Sequence, residues 1–251
     1  MHRRLLSSLL LSSSMVLSAS ALAQTGVSDD RVSLPDGPGS LDGIGDNASV
    51  DANMGQMSTS VKIRVPGGFD GVTPELSLSY SSGGGGGVLG TGWTMALPFI
   101  ERMTSKGLPD YDEDDRFVFG GGEQLVRVDA LSDVDTAVYR ARFEGGFVRY
   151  TWHERGNGDE GYWTSESPDG AKTTYGADFD GTANEGARVR SPDGIFRYLA
   201  TETQDAFGHR MVFTYQNLGG KAYIDSIAYV IDDEGTAGQR VVFTYEERDD
   251  K

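Results

Sequence analysis

Residues 73–103 read TPELSLSYSSGGGGGVLGTGWTMALPFIERM, and this stretch decides how the rest of the chain is interpreted. Leu76, Leu78 and Tyr80 alternate with polar residues, which is the period of a half-buried strand. The glycine run that follows indicates a backbone that needs positive φ or very close approach to a neighbour. Pro98 favours an edge strand or the start of a strand over a helix. The stretch therefore predicts β structure around a structural glycine loop.

The same stretch contains a G-x-G-x-x-G pattern at Gly85, Gly87 and Gly90. A dinucleotide site needs a helix directly after this pattern, because the helix N-terminus holds the pyrophosphate. Gly92 and Pro98 both oppose a helix there, and no Lys-Ser/Thr pair follows to complete a phosphate loop. We therefore interpret these glycines as structural and expect no nucleotide cofactor.

The first 23 residues have the features of a signal peptide. Arg3 and Arg4 precede an apolar, serine-rich segment at 5–22, and Ala21-Leu22-Ala23 fits a signal-peptidase site, which predicts cleavage after Ala23. A membrane anchor is the alternative, but serines break the apolar run. We expect export by the Sec route through the periplasm to the outside of the cell. A cytoplasmic location is the alternative if the signal is not cleaved.

Composition limits the classes of partner. The chain has 251 residues, 22 basic and 38 acidic, for a net charge of −16. Cleavage would remove two arginines and give 22 − 2 − 38 = −18. Such an acidic chain is a poor ligand for nucleic acid or anionic membranes, so we expect neither nucleic-acid binding nor stable membrane insertion. The absence of cysteine excludes a disulfide framework and thiol chemistry.

The pattern along the chain predicts three parts. Residues 1–23 are the signal peptide, residues 24–55 are an extended lead-in rich in Gly, Asp and Ser, and residues 56–251 are one β domain. Alternation of apolar and polar residues starts near Gln56 and predicts a strand. Apolar runs on either side of glycine-rich turns predict hairpins at 116–128 and 137–152. No amphipathic helix of useful length follows the signal segment.

Two short patterns recur in the second half of the chain. Ser-Pro-Asp-Gly occurs at 167–170 and again at 191–194, and Val-Phe-Thr-Tyr occurs at 212–215 and at 242–245. Pro-Asp-Gly is a turn signal, because proline presets φ, aspartate caps its own backbone and glycine takes the left-handed position. The recurrence favours stacked β units with one continuous core, and an ordinary β-sandwich is the alternative. Because the array ends without a polar cap, we expect the chain to be a fragment of a longer protein.

A set of positions, mostly glycine, proline, aromatic and aliphatic residues, carries a family resemblance. These positions are Ser33, Leu34, Pro35, Gly37, Gly39, Ile44, Gly45, Gly55, Pro74, Leu76, Leu78, Tyr80, Ser82, Gly87, Gly90, Gly92, Trp93, Pro98, Ile100, Arg102, Thr104, Gly107, Leu108, Pro109, Tyr111, Phe117 and Phe119. In this order they resemble the SpvB-type N-terminal domain of bacterial toxins. That domain is shared with the B components of insecticidal toxin complexes and is related to Rhs/YD-repeat proteins. The resemblance covers nearly all of residues 32–248 and is weaker after Leu131. Asp205-Ala206-Phe207-Gly208, before the Val-Phe-Thr-Tyr of 212–215, resembles the core of a YD unit. Two departures from the family are the absence of a Gly-Asn pair in the glycine loop and His209 in place of the usual asparagine of the YD unit.

The resemblance implies a structural role. It implies an all-β fold of antiparallel hairpins, in a repeat-like Rhs/YD shell or an open β-sheet wall, as a fragment of a larger protein. In toxin complexes such a region is similar to the opening strands of a hollow β-shell that encloses a toxic C-terminal segment. The partners it implies are the remainder of the same polypeptide or a toxin-complex protein. Some members of the family end in an ADP-ribosyltransferase, which this chain does not include.

Residues that could support catalysis are few. An ADP-ribosyltransferase of the relevant kind needs a Glu-x-Glu pair, and no two glutamates lie two positions apart, so Ser58-Thr59-Ser60 carries little weight. His153 and His209 are the histidines beyond the signal segment, and we interpret both as solvated or satisfied rather than catalytic. We therefore expect no enzymatic activity, no catalytic, cofactor-binding or metal-binding residues, and no cofactor.

Two acidic loops leave a question about calcium. Carboxylates cluster at Asp110–Asp115, and Asp178 and Asp180 stand in a D-x-D-G run. Oxygen ligands at such spacing can bind calcium, but the sixth position of the second loop holds Ala183, where a calcium loop requires glycine. We interpret both loops as solvated, and calcium binding stays open.

The aromatic residues leave a second class of function open. Trp93, Trp152 and Trp163, with many tyrosines, could form a sugar-stacking platform in a carbohydrate-binding or adhesin module. Aromatic residues at strand spacing are more often core. A paired-carboxylate glycosidase is a third class, for which no pair can be selected without coordinates. The preferred interpretation is a secreted, virulence-associated, non-catalytic β-shell segment.

Overall fold

The computed structural model describes residues 48–246, except 52–53, 88, 113, 134, 156–159 and 233. The predicted signal peptide and most of the predicted lead-in lie outside the described residues. The described part is built of strands, joined by single 3-10 turns at Phe69–Gly71, Asp129–Leu131 and Glu185–Ala187. No helix in this part of the chain is long and apolar enough to span a membrane. The strands, in chain order, are β1 Ser49–Asp51, β2 Gln56–Ile63, β3 Leu76–Ser81, β4 Gly86–Gly87, β5 Gly90–Thr91, β6 Trp93–Met95, β7 Phe99–Arg102, β8 Phe117–Phe119, β9 Glu123–Arg127, β10 Thr136–Ala141, β11 Arg149–His153, β12 Tyr162–Glu166, β13 Lys172–Tyr175, β14 Arg188–Ser191, β15 Gly194–Gln204, β16 Arg210–Leu218, β17 Lys221–Ile231 and β18 Ala237–Val242.

A small antiparallel sheet has the order β1-β2-β3-β6. The alternation in β2 and β3 places Val61 opposite Leu78 and Ile63 opposite Leu76, so the apolar residues share one face. Leu76 is buried in the core of the protein. The strand predicted near Gln56 is confirmed, and β1 lies in the last part of the predicted lead-in, where it pairs with β2.

The glycine loop follows β3 and contains the two-stranded ribbon of β4 and β5. Gly92 has a φ of +79°, and a Cβ there would lie 2.7 Å from the Ser81 carbonyl oxygen and from the Tyr80 ring. Both the positive φ and the close approach require glycine. The residues directly after the loop form strand β6, whereas a dinucleotide fingerprint would continue into a helix.

The large sheet is antiparallel and closes on itself. Strands β7 to β13 pair consecutively, and β15 then pairs with β13 on one side and with β7 on the other. This arrangement makes a ring of eight strands, β7, β8, β9, β10, β11, β12, β13 and β15. Strand β14 pairs with β15, and β16, β17 and β18 continue from β15 as a meander. The predicted all-β, antiparallel fold is confirmed, and the predicted hairpins are β8–β9 and β10–β11.

The inside of the ring is filled by aromatic side chains. Trp163 is fully buried, and its ring centroid lies 4.9 Å from Phe117, 4.9 Å from Tyr139 and 5.3 Å from Trp152. Pairs at such distances contribute about 0.5–1.5 kcal/mol each beyond the area that they bury. The ring is therefore a packed core and not an open channel.

The small sheet and the meander share a core with the ring. Leu76 of β3, Phe213 of β16 and Ile227 of β17 belong to the same buried cluster as the aromatic residues. The Tyr229 hydroxyl donates a hydrogen bond of 3.0 Å to the carbonyl oxygen of Pro66, which follows β2. These contacts hold the two sheets in one packed unit.

Both Ser-Pro-Asp-Gly patterns form turns between paired strands. The first joins β12 to β13, where Gly170 has a φ of +85° and the Asp169 carboxylate accepts a hydrogen bond from the Ala171 amide. The second joins β14 to β15. The prediction of turns at both places is confirmed.

Candidate functional site

A cavity of about 430 Å³ opens at one end of the ring. The chain reaches this end at the close of β7, β9 and β11 and leaves it at the start of β8, β10 and β12, because neighbouring strands are antiparallel. The cavity is lined by residues at these strand ends and in the loops beyond them. We call it the acidic mouth, and it consists of Arg102, Tyr111, Asp112, Phe117, Arg127, Asp133, Asp135, Thr136, Ala137, Tyr139, Trp152, Glu154 and Glu160.

An arginine fixes one side of the acidic mouth. The Arg102 guanidinium lies over the rings of Tyr111 and Phe117, at 4.9 Å and 5.1 Å, and its Nε donates to the Ile195 carbonyl oxygen at 3.0 Å. Its Nη1 forms an ion pair with Asp115, and both side chains are only 11% exposed. The Asp115 carboxylate also accepts hydrogen bonds from the backbone amides of Asp110 and Tyr111. The predicted acidic loop is therefore tied to the ring by one of its own carboxylates.

Exposed carboxylates also line the mouth. Asp133 accepts hydrogen bonds from the backbone and hydroxyl of Thr136 and from the Asp135 amide, and these bonds lower the pKa of the Asp133 carboxyl. Glu160 differs from these carboxylates because it has a basic partner. It forms an ion pair with Arg190 and accepts a 3.0 Å hydrogen bond from the Ile195 amide.

The second predicted acidic loop forms a turn. Asn184 donates to the Asp178 carboxylate at 2.7 Å, and the Thr182 amide donates to the Asp180 carboxylate at 2.8 Å. Hydrogen bonds from Thr182 lower the pKa of the Asp180 carboxyl. Among the described residues, which omit Glu113, no group of three or more His, Cys, Asp or Glu is arranged to hold a metal ion.

The two histidines lie in different places. His153 lies on β11, where its Nε2 is 2.9 Å from the Thr164 hydroxyl and its ring stacks on Tyr162 at 4.6 Å; burial lowers the pKa of this imidazole. His209 follows the β15–β16 turn, and its Nδ1 is 2.7 Å from the Asp205 carboxylate. Both side chains therefore have local partners.

The three tryptophans do not lie together on one exposed surface. Trp163 is fully buried inside the ring, next to Trp152. Trp93 belongs to the small sheet and packs against Tyr80 at 5.2 Å. A sugar platform built from all three is therefore not available.

A buried arginine was not predicted from sequence. Arg188 is 1% exposed, and it donates to the carbonyl oxygens of Gly176 at 2.6 Å and Gly161 at 2.9 Å while pairing with Glu185 at 3.1 Å. It ties the loop after β13 to the start of β12. In the sequence, Arg188 and Arg190 lie two residues apart, which is the pattern of a strand face exposed to solvent. No sequence signal therefore marks Arg188 as buried.

The fold is shared with components of bacterial toxins. It matches the crystal structure of TcdB2-TccC3 with a TM-score of 0.69 and 24% identity, over 90% of this chain and 13% of that chain. It also matches the N-terminal domain of the effector protein SpvB from Salmonella typhimurium strain LT2, with a TM-score of 0.57 and 23% identity, over 67% of this chain and 63% of that domain. At these identities the likeness concerns the fold.

The sequence defines the family. Residues 51–241 match the family model of SpvB, the Salmonella virulence plasmid 65kDa B protein, and the chain belongs to this family. The mono(ADP-ribosyl)transferases SpvB of Salmonella typhimurium and Salmonella dublin are 29% identical to it over 167 residues, or 58% of this chain. The chain spans 27% of the length of these relatives.

Proposed function

We propose that this chain is a non-catalytic structural segment of a secreted SpvB-family toxin, and that it forms the first part of a β-shell that encapsulates or delivers a toxic C-terminal region. The observation that carries this proposal is the ring of strands with an aromatic interior, extended by the β16–β18 meander. The interior between the strands is filled by aromatic side chains around the fully buried Trp163. Such an element can serve as one section of a wall.

The last strand supplies a surface on which the wall can continue. Among the described residues, β18 pairs only with β17, so its other edge faces no strand. Val242 at its end is 64% exposed. An edge of this kind presents unpaired amides and carbonyls that accept a further strand. We propose that the rest of its own polypeptide, or a toxin-complex partner, pairs there.

The catalytic activity in the names of the relatives is not assigned to this chain. The match covers 27% of those proteins, and this sequence lacks the Glu-x-Glu pair that such a transferase needs.

We propose export by the Sec route with cleavage after Ala23. N-terminal sequencing of protein recovered outside the cytoplasm would give Gln24 as the first residue, and an intact Met1 would contradict cleavage.

The edge can be tested by replacing Val242. The purified chain should self-associate as its concentration rises, and Val242→Lys should keep it monomeric, because a lysine on an edge strand opposes strand pairing. Leu108→Lys is the matched control, since Leu108 is 89% exposed in a loop outside the sheets. Sedimentation velocity over a concentration series measures the difference. A wild-type chain that stays monomeric throughout, or association that both variants reduce equally, would contradict the proposal.

A further inference from the structure

The acidic mouth has an aromatic floor that the proposed wall function does not use. Phe117, Tyr139 and Trp152 line the cavity, and the latter two remain partly exposed. The faces of aromatic rings attract cations, most strongly tryptophan and tyrosine. The protein already uses this contact, since Arg102 lies over Phe117 at 5.1 Å and Arg197 over Phe99 at 4.3 Å.

The basic side chains of the acidic mouth do not neutralise its carboxylates. The two cations of the mouth have carboxylate partners of their own, as Arg102 pairs with Asp115 and Arg127 with Asp129. Four exposed carboxylates of the mouth form no ion pair with a basic side chain anywhere in the described residues. They are Asp112, Asp133, Asp135 and Glu154.

We propose that the acidic mouth binds an arginine side chain of a partner peptide. The guanidinium would stack on the aromatic floor and donate hydrogen bonds to the carboxylates around it, which suits its planar shape and its five N–H donors. The cavity of about 430 Å³ lies in the usual size range of small ligand sites. The net charge of −16 favours the approach of a basic segment. This inference goes beyond the proposed wall function and does not depend on it.

The probe is a short fluorescein-labelled Gly/Ser peptide that contains two arginines. Its control replaces both arginines by citrulline, which has nearly the same shape without the charge. Fluorescence anisotropy with the full chain should show saturable binding of the arginine peptide and at least tenfold weaker binding of the citrulline peptide. Equal affinity for the two peptides, or no saturation at millimolar protein, would overturn the proposal.

Paired variants separate a local site from the general negative field. Asp135→Asn with Glu154→Gln removes two mouth charges and should weaken binding about tenfold. Glu75→Gln with Glu234→Gln removes the same charge from exposed positions outside the mouth and should change binding less than twofold. If both double variants weaken binding equally, the attraction is only the overall charge.

The aromatic floor has its own test. Tyr139→Phe keeps the ring and should leave the affinity unchanged, whereas Tyr139→Leu should weaken binding several-fold. Circular dichroism spectra establish that both variants are folded. Equal binding by folded Tyr139→Leu and the wild-type chain would remove the aromatic part of the proposal.

Discussion

Replacement of Trp163 tests whether the ring is held together from inside. The side chain is fully buried and packs against three aromatic rings at 4.9–5.3 Å. Truncation of a buried tryptophan to alanine costs about 3–5 kcal/mol of stability, because the protein loses both the burial of the apolar ring and its packing contacts. With about 2 kcal/mol/M for the urea dependence of a domain of this size, the unfolding midpoint of Trp163→Ala should fall by about 1.5–2.5 M.

Trp163→Phe is the informative companion variant. The indole Nε1 has no hydrogen-bond partner among the described residues, and an unsatisfied buried donor costs about 1–3 kcal/mol. Phenylalanine removes that penalty and loses about 1–2 kcal/mol of burial and packing. The two effects offset, so the free energy of unfolding should stay within about 1 kcal/mol of the wild-type value.

Urea unfolding followed by far-UV circular dichroism measures both variants. Leu131→Ala is the control, since Leu131 is exposed in a 3-10 turn and its loss should change stability by less than about 0.5 kcal/mol. A loss below about 1 kcal/mol for Trp163→Ala would refute the reasoning. So would equal losses for Trp163→Ala and Trp163→Phe.

Three further predictions concern local features. Gly92→Ala should lower the free energy of unfolding by more than about 2 kcal/mol in urea unfolding, because alanine would need a positive φ and its Cβ would lie 2.7 Å from its neighbours. Gly85→Ala should be near neutral, because a Cβ there would have no atom within 4 Å. Asp115→Asn should cost about 2 kcal/mol in the same assay because it leaves a mostly buried arginine without its carboxylate, whereas Asp129→Asn, at an exposed pair, should cost under about 0.5 kcal/mol. Burial holds the pKa of His153 below its ordinary 6.5 in the folded protein. As pH drops below about 6.5, the imidazole is therefore protonated more in the unfolded chain than in the folded one, and the free energy of unfolding falls. His153→Gln should flatten that decline, and an unchanged slope would contradict it.

The local parts of the fold could be predicted from sequence. The alternation of Leu76 and Leu78 with polar residues specifies a strand with one buried face. Glycine-rich and Pro-Asp-Gly turns specify hairpins. Each of these patterns is contained within a few consecutive residues, so it can be recognised without knowing the tertiary structure. The short strands β1 and β14 were not predicted. Their three and four residues are too few to show a period.

Closure of the sheet could not be predicted in the same way. It depends on pairing β15 with β7, where Arg197 binds Glu101 across 96 residues of sequence at 2.7 Å. Alternation reports which residues share a face and says nothing of which distant strand lies alongside. The acidic mouth was missed for the same reason, since its carboxylates come from loops that only the closed ring brings together.

Hydrogen exchange measures the closed ring and the open edge of β18 in one experiment. Peptides from β11 and β12 should exchange only through global unfolding. Peptides from β18 should exchange rapidly in the dilute monomer and about tenfold more slowly at concentrations where the chain associates. If β18 is protected as strongly as β12 in the dilute monomer, its edge is already covered and the wall proposal is wrong.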